Sequence, residues 1–173
     1  MTGDKLLHRQ ADVIQAQNPG VDIGNALNIV RPTLGNESGV ALFRLLRLVA
    51  MEDSFGRGAS AMSYYAGKKL GVSLGIGSLD DFLDLCTSLK IGVVDVPVMT
   101  EDKIQVDVYE CVTCSGLNPV GRTLCHFEGG LIAGVVEHLL RKRTQAREVA
   151  CIGGLGDKTC SFDLEFKERA VRI

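Results

Sequence analysis

The chain is 173 residues long, carries a formal net charge of -2 and is 46% hydrophobic. That length fits one domain with a sizeable core, and the charge balance offers no basic face for a phosphate backbone, which argues against nucleic acid as a partner. The longest apolar run, Gly129 to Val136, stops at Glu137 and His138, far short of the roughly 20 residues of a membrane span, and Met1 to Gln10 lacks the apolar stretch of a secretory signal, so the expectation is a soluble, cytoplasmic protein.

Residues 1–30 are irregular, with Leu6, Leu7, Val13 and Ile14 ahead of a turn at Asn18-Pro19-Gly20, then Ile23, Leu27 and Val30. They read as an N-terminal arm, before a domain over 31–167 and a tail over 168–173. From Glu37, Val40, Phe43, Leu46 and Val49 recur at helical spacing with Arg44 and Arg47 beside them. Gly56 and Gly58 interrupt, and Ala59 to Leu70 reads as a second helix rich in small residues (Ala59, Ala61, Ser63, Ala66, Gly67), which invites close approach of another backbone. Ser78 caps a third helix, with Asp80 and Asp81 in its first turn. Its apolar face is Leu79, Phe82, Leu83 and Cys86, and Cys86 there is a small buried hydrophobe.

Val93 to Val98 and Ile104 to Tyr109 form a hairpin, the second strand alternating Ile104, Val106 and Val108 with polar residues. Pro97 places the first strand at an edge. Cys125 to Arg143 is the strongest helix, despite Gly129, Gly130 and Gly134, each costing about 1 kcal/mol relative to Ala. Such glycines imply a neighbour packed against the backbone. The basic cluster Arg141, Lys142 and Arg143 suits a helix C-terminus. Gln145 to Ile152 and Thr159 to Phe166 form a second hairpin around Gly153 to Lys158. The order predicts an α+β fold: an antiparallel sheet of about four strands, as two hairpins, packed against helices.

Six cysteines in a cytoplasmic chain argue for thiols or metal rather than structural disulfides. Cys111 and Cys114 form a lone Cys-x-x-Cys, readable as half a metal site, a redox pair or two loop cysteines. Cys125 opens a helix, where free N–H groups favour thiolate. Cys151 and Cys160 face each other across a tight hairpin. Glu148 lies three residues before Cys151, and odd offsets along a strand point to opposite faces. A cation shared by Glu148 and Cys151 therefore requires a bulge or strand end between them. No catalytic cluster is recognisable: His8, His126 and His138 form no triad, and Gly71, Gly75 and Gly77 lack the frame of a dinucleotide loop.

Cys125 followed by Gly130 and Gly134, then Glu148 and Cys151, then Gly156, Cys160 and Phe162, resembles the 4-vinyl reductase (4VR) domain. Leu34 to Glu37, Leu42 to Arg44 and Tyr65 to Gly71 resemble its archaeal stand-alone members. The resemblance implies a fold like that of a subunit of the TRAPP vesicle-tethering complex and a commonly dimeric module that binds small hydrocarbon or aromatic ligands. It also implies one zinc held by Cys125, Glu148, Cys151 and Cys160. With four protein ligands such a zinc is structural. Candidate lining for the ligand cavity is Phe43, Tyr64, Tyr65, Phe82 and Leu131. Two alternatives stay open: reduction of tetrapyrrole vinyl groups, as the family name suggests, with a flavin or partner supplying electrons; and a dimeric interaction subunit built on the arm and the small-residue helix.

Overall fold

The computed structural model describes residues 23–27, 29–33 and 39–167; most of the expected arm, Leu34 to Glu37 and the 168–173 tail lie outside them. The elements in order are α1 (Ile23–Leu27), α2 (Val40–Arg44), a π-helical turn (Leu45–Ala50), α3 (Met51–Phe55), α4 (Gly58–Ser73) and α5 (Leu79–Ser88). They continue with β1 (Val93–Met99), β2 (Ile104–Tyr109), α6 (His126–Leu140), β3 (Arg143–Ala150), α7 (Ile152–Leu155) and β4 (Cys160–Lys167).

The four strands form one antiparallel sheet in the order β1-β2-β4-β3, so both expected hairpins are present and β1, with Pro97, is an edge. Ile104, Val106 and Val108 of β2 pair with Leu164, Phe162 and Cys160 of β4, and all six side chains are buried. Helix α6 lies on that face. Glu128 through Val136 are all buried, because α6 has the sheet on one side and α4 on the other. A helix apolar all round is a buried one.

The glycines in α6 permit this sandwich. Gly130 and Gly134 lie against the backbone of α4 at Tyr64 and Lys68, while Gly67 and Gly71 of α4 lie against the backbone of α6 at Phe127 and Leu131. Thus the small-residue face of α4, considered as an interface between chains, is consumed within the chain. Gly129 meets the Phe162 ring instead.

Three details depart from the expected boundaries. Helix α4 runs through Gly71 to Ser73, because that glycine packs and does not terminate. Helix α6 ends at Leu140, not at Arg143; Arg141 adopts a left-handed conformation, φ 56°, and Arg143 already belongs to β3. The α2–α3 stretch also turns over: Val40, Leu46 and Val49 are exposed, whereas Arg44 and Arg47 point inward.

The outer edge of β3 is covered by side chains from two helices. Ala146 N–H donates to Tyr64 Oη at 2.9 Å and Thr144 N–H to Glu137 Oε2 at 2.9 Å. Lys68 Nζ donates to the Thr144 carbonyl at 2.6 Å and pairs with Glu137 at 2.9 Å. An edge strand whose polar groups are taken up in this way is not a template for another chain. Among the described residues no helix is long and apolar enough to cross a membrane.

Candidate metal centre and adjoining cavity

Cys125 is the N-cap of α6, and Cys160 opens β4. Glu148 pairs with Phe162 in the β3–β4 ladder, so it shares the inward face with Cys160 two residues away. The register then slips between Glu148 and Ala150, leaving Ala150 opposite Ser161 rather than Cys160. This bulge is the irregularity the odd offset demanded, because it brings Cys151 level with Cys160. Just beyond the strand, Cys151 N–H donates to Asp157 Oδ2 at 2.8 Å, and the Cys151 carbonyl accepts from Leu155, Gly156 and Asp157, closing the turn.

Ligand atoms of Cys125, Glu148, Cys151 and Cys160 all lie within 4.8 Å of one another. A second quartet, Cys111, Cys114, Cys125 and Cys160, meets the same limit. All five thiols are fully buried. The Sγ of Cys125 is 3.6 Å from Cys160, 4.0 Å from Cys151, 3.5 Å from Cys111 and 3.3 Å from Cys114. Tetrahedral zinc with bonds of about 2.3 Å needs sulfurs about 3.8 Å apart, so the spacing suits a thiolate-bound cation.

Glu148 fits the same purpose. Its Oε2 accepts the Cys125 N–H at 2.9 Å, which fixes the carboxylate beside the helix start. Its Oε1 is buried without a hydrogen-bond partner. An orphaned buried oxygen is costly unless something claims it, and a cation among the thiols would. Burial first, then the neighbouring Cys151, pushes the Glu148 carboxyl up to about 9. Within the thiol group, hydrogen bonds from Cys114, Cys125 and Cys160 push Cys111 down, while the hydrogen bonds of Cys125 push it up, with burial adding to the rise. Metal-free, these groups share protons; ligation displaces them. Cys86 stands apart in α5, its thiol pushed up to about 12 by burial alone.

The Cys111–Cys114 loop is held from the opposite side. Arg44 donates through Nε to the Val112 carbonyl at 2.8 Å and through Nη2 to the Ser115 carbonyl at 2.8 Å. Arg47 binds Glu128 Oε1 at 2.6 Å, and Thr113 Oγ1 donates to the same oxygen at 2.6 Å. The Arg47 guanidinium also lies between two rings, 5.0 Å from the centroid of Phe43 and 4.9 Å from that of Phe127, a cation–π arrangement that steadies a desolvated charge. Arg47 sits in the π-helical turn, a distortion frequent at functional sites. None of Arg47, Thr113, Phe127 and Glu128 stood out in the sequence.

Beside this network lies a cavity of about 470 Å³, bordered by Val40, Phe43, Ile91, Val112, Phe127 and Glu128, among others. The expected lining residues do not converge on it. Phe43 borders it; Phe82 borders a separate apolar void of about 30 Å³. Leu131 is core, Tyr64 is engaged with β3, and Tyr65 is 62% exposed with Lys69 over its ring.

The family model of the vinyl-4-reductase (4VR) domain matches residues 104–166. The uncharacterized protein MJ1642 of Methanocaldococcus jannaschii is 34% identical over 131 residues, 76% of this chain and 80% of that one. Three solved structures share the fold. A vinyl-4-reductase family protein from Methanocaldococcus jannaschii superimposes with TM-score 0.64 at 15% identity, covering 78% of this chain and 85% of that one. The phenol-responsive sensory domain of the transcription activator PoxR, with phenol, gives 0.60 at 16%, covering 75% of each chain. A trafficking protein particle complex subunit 3 from Naegleria fowleri, covalently bound to palmitic acid, gives 0.54 at 16%, covering 75% of this chain and 95% of that one. The α+β architecture is therefore TRAPP-subunit-like, as the sequence implied.

Proposed function

The chain belongs to the vinyl-4-reductase family, and on that footing we propose that it is a cytoplasmic module that binds a small apolar ligand beside a structural zinc ion. The observation that carries this reading is the cavity of about 470 Å³, a size typical of small-molecule sites, whose wall includes residues of the cysteine loop and the start of α6. Zinc held by Cys125, Glu148, Cys151 and Cys160 would tie α6 to the β3–β4 turn, and so set the position of Phe127 and Glu128 at the cavity wall. Four protein donors leave no open coordination position, so its contribution would be to hold the fold.

The wall suggests the ligand's character. Phe43, Val40, Ile91 and Phe127 offer an apolar surface, and Glu128 offers one acceptor already tied to Arg47 and Thr113. An aromatic or aliphatic body with a single hydroxyl suits that surface. The solved neighbours with phenol and palmitic acid make those two the first probes. Zinc-loaded protein titrated calorimetrically with phenol and with palmitate should bind at least one of them, and Phe43→Trp, which fills the cavity, should weaken that binding tenfold or more. Binding of neither probe, or full affinity in Phe43→Trp, would remove the cavity from the function.

One observation favours a homodimer as well. Leu42, Leu45, Leu46 and Val49 are 65%, 58%, 60% and 49% exposed along one helical stretch. A cluster of that kind marks an interaction surface. This reading moves the interface from the small-residue face of α4 to the outer face of the α2–α3 stretch. Light scattering at micromolar concentration should give twice the chain mass, and Leu46→Glu should halve it; a monomeric wild type would end this reading.

A further inference from the structure

We propose that the centre is built for two zinc ions bridged by thiolates, with Cys111 and Cys114 completing a second tetrahedron that shares Cys125 and Cys160 with the first. The proposal rests on the zinc reading above and extends it to the two cysteines which that reading leaves unused.

Six donors converge here, and one four-coordinate cation takes only four. With one zinc on Cys125, Glu148, Cys151 and Cys160, two fully buried thiols would remain pressed against its ligands: Cys114 Sγ is 3.2 Å from Cys160 Sγ and 3.3 Å from Cys125 Sγ, and Cys111 Sγ is 3.5 Å from Cys125 Sγ. The two quartets within the 4.8 Å limit overlap in Cys125 and Cys160 and in no other residue. That overlap is the pattern of a double bridge, since a thiolate sulfur has lone pairs enough for two cations. The terminal ligands then divide cleanly, Cys111 and Cys114 on one ion, Glu148 and Cys151 on the other. Cys114 and Cys151, terminal on different ions, are 4.0 Å apart.

Charge supports the second ion. A single quartet of three thiolates and one carboxylate around a divalent ion retains two negative charges. Adding Cys111 and Cys114 as thiolates together with a second divalent ion adds two charges of each sign. The buried net charge is unchanged, so the desolvation cost that normally opposes a further buried charge is largely avoided. The loop is also fixed in place before any ion arrives: Arg44 holds the carbonyls of Val112 and Ser115, and Glu128 holds the Thr113 hydroxyl.

The test is zinc counting on the full chain loaded with zinc and desalted, by native mass spectrometry, alongside zinc-edge X-ray absorption. The expected result is two zinc ions per chain with a metal–metal vector at roughly 3.5 Å. The double variants Cys111→Ser/Cys114→Ser and Glu148→Gln/Cys151→Ser should each retain one ion and lose the vector. The metal–metal vector of the wild type needs no variant, so the test stands even if a double variant fails to fold. One zinc in the wild type that survives Cys111→Ser/Cys114→Ser overturns the second site and leaves the single-zinc reading intact. No zinc at all overturns both. One zinc that survives Glu148→Gln/Cys151→Ser but not Cys111→Ser/Cys114→Ser overturns the bridge and the Glu148 assignment together, and places the ion on the four-cysteine set.

Discussion

Gly130→Ala and Gly134→Ala should each destabilise the protein by about 3 kcal/mol, although alanine is the better helix former. Two effects oppose each other here. Helix propensity alone favours alanine by about 1 kcal/mol. Packing opposes it, because a Cβ at Gly130 would fall on the Tyr64 carbonyl oxygen and lie 2.9 Å from Lys68 N. At Gly134 it would fall on the Lys68 carbonyl oxygen and lie 2.9 Å from Val72 N. These are backbone atoms, which cannot rotate aside, so α4 and α6 would have to part by on the order of 1 Å, with loss of dispersion along the whole crossing. The sign of the change therefore discriminates. Gly58→Ala is the control: its added Cβ meets nothing within 4 Å, and the expected change is within about 0.5 kcal/mol. Urea unfolding of the three variants is the measurement. A Gly134→Ala protein more stable than the wild type would mean that the helices do not cross this closely. The expected separation would also reach the metal centre, since α6 begins at the Cys125 cap and carries Glu128 in its first turn.

The same crossing shows which parts of the structure could be read from the chain. Glycines spaced along an otherwise strong helix implied a close neighbour, and the small residues of α4 implied a close approach; each turned out to be the other's partner. Strand alternation at Ile104, Val106 and Val108 fixed the inward face of β2 correctly, because burial on one face leaves a period of two. The odd offset between Glu148 and Cys151 foretold an irregularity, and the bulge before Ala150 provides it.

What escaped had physical reasons. The apolar stripe of the α2–α3 stretch suggested a core face, but Arg44 and Arg47 claim the inward side, because loop carbonyls and a buried carboxylate there require donors. Periodicity identifies two faces and cannot say which one is inside. Glu128 looked like an ordinary first-turn acid that favours the helix dipole. Its burial against Arg47 and Thr113 depends on residues far away in sequence. Cys111 and Cys114 remained ambiguous for the same reason: a loop has no period, so its side chains acquire partners only when the chain closes around them.

Removing metal should lower stability by about 4–5 kcal/mol, the scale on which loss of a structural ion exceeds ordinary substitutions. The gap should widen with pH. Ligands must be deprotonated to bind, so each ion displaces protons, and the stabilisation it supplies increases as protons become scarcer. The stripped protein should slope the other way. Glu148 is raised from 4.5 to about 9 in the fold, chiefly by burial. A carboxyl whose folded pKa is raised contributes stability that is complete below about 4.5 and is lost as pH climbs toward 9. Loaded and chelated protein should therefore converge near pH 5 and diverge by pH 8, and guanidinium unfolding at both pH values measures that divergence. Cys160→Ser should reproduce the chelated protein without chelator, since Cys160 belongs to both ligand quartets and its loss damages either arrangement. Curves that coincide with and without chelator at pH 8 would leave five buried thiols as core residues, and would shift the stability of the β3–β4 turn onto Asp157 and the backbone of Cys151 alone.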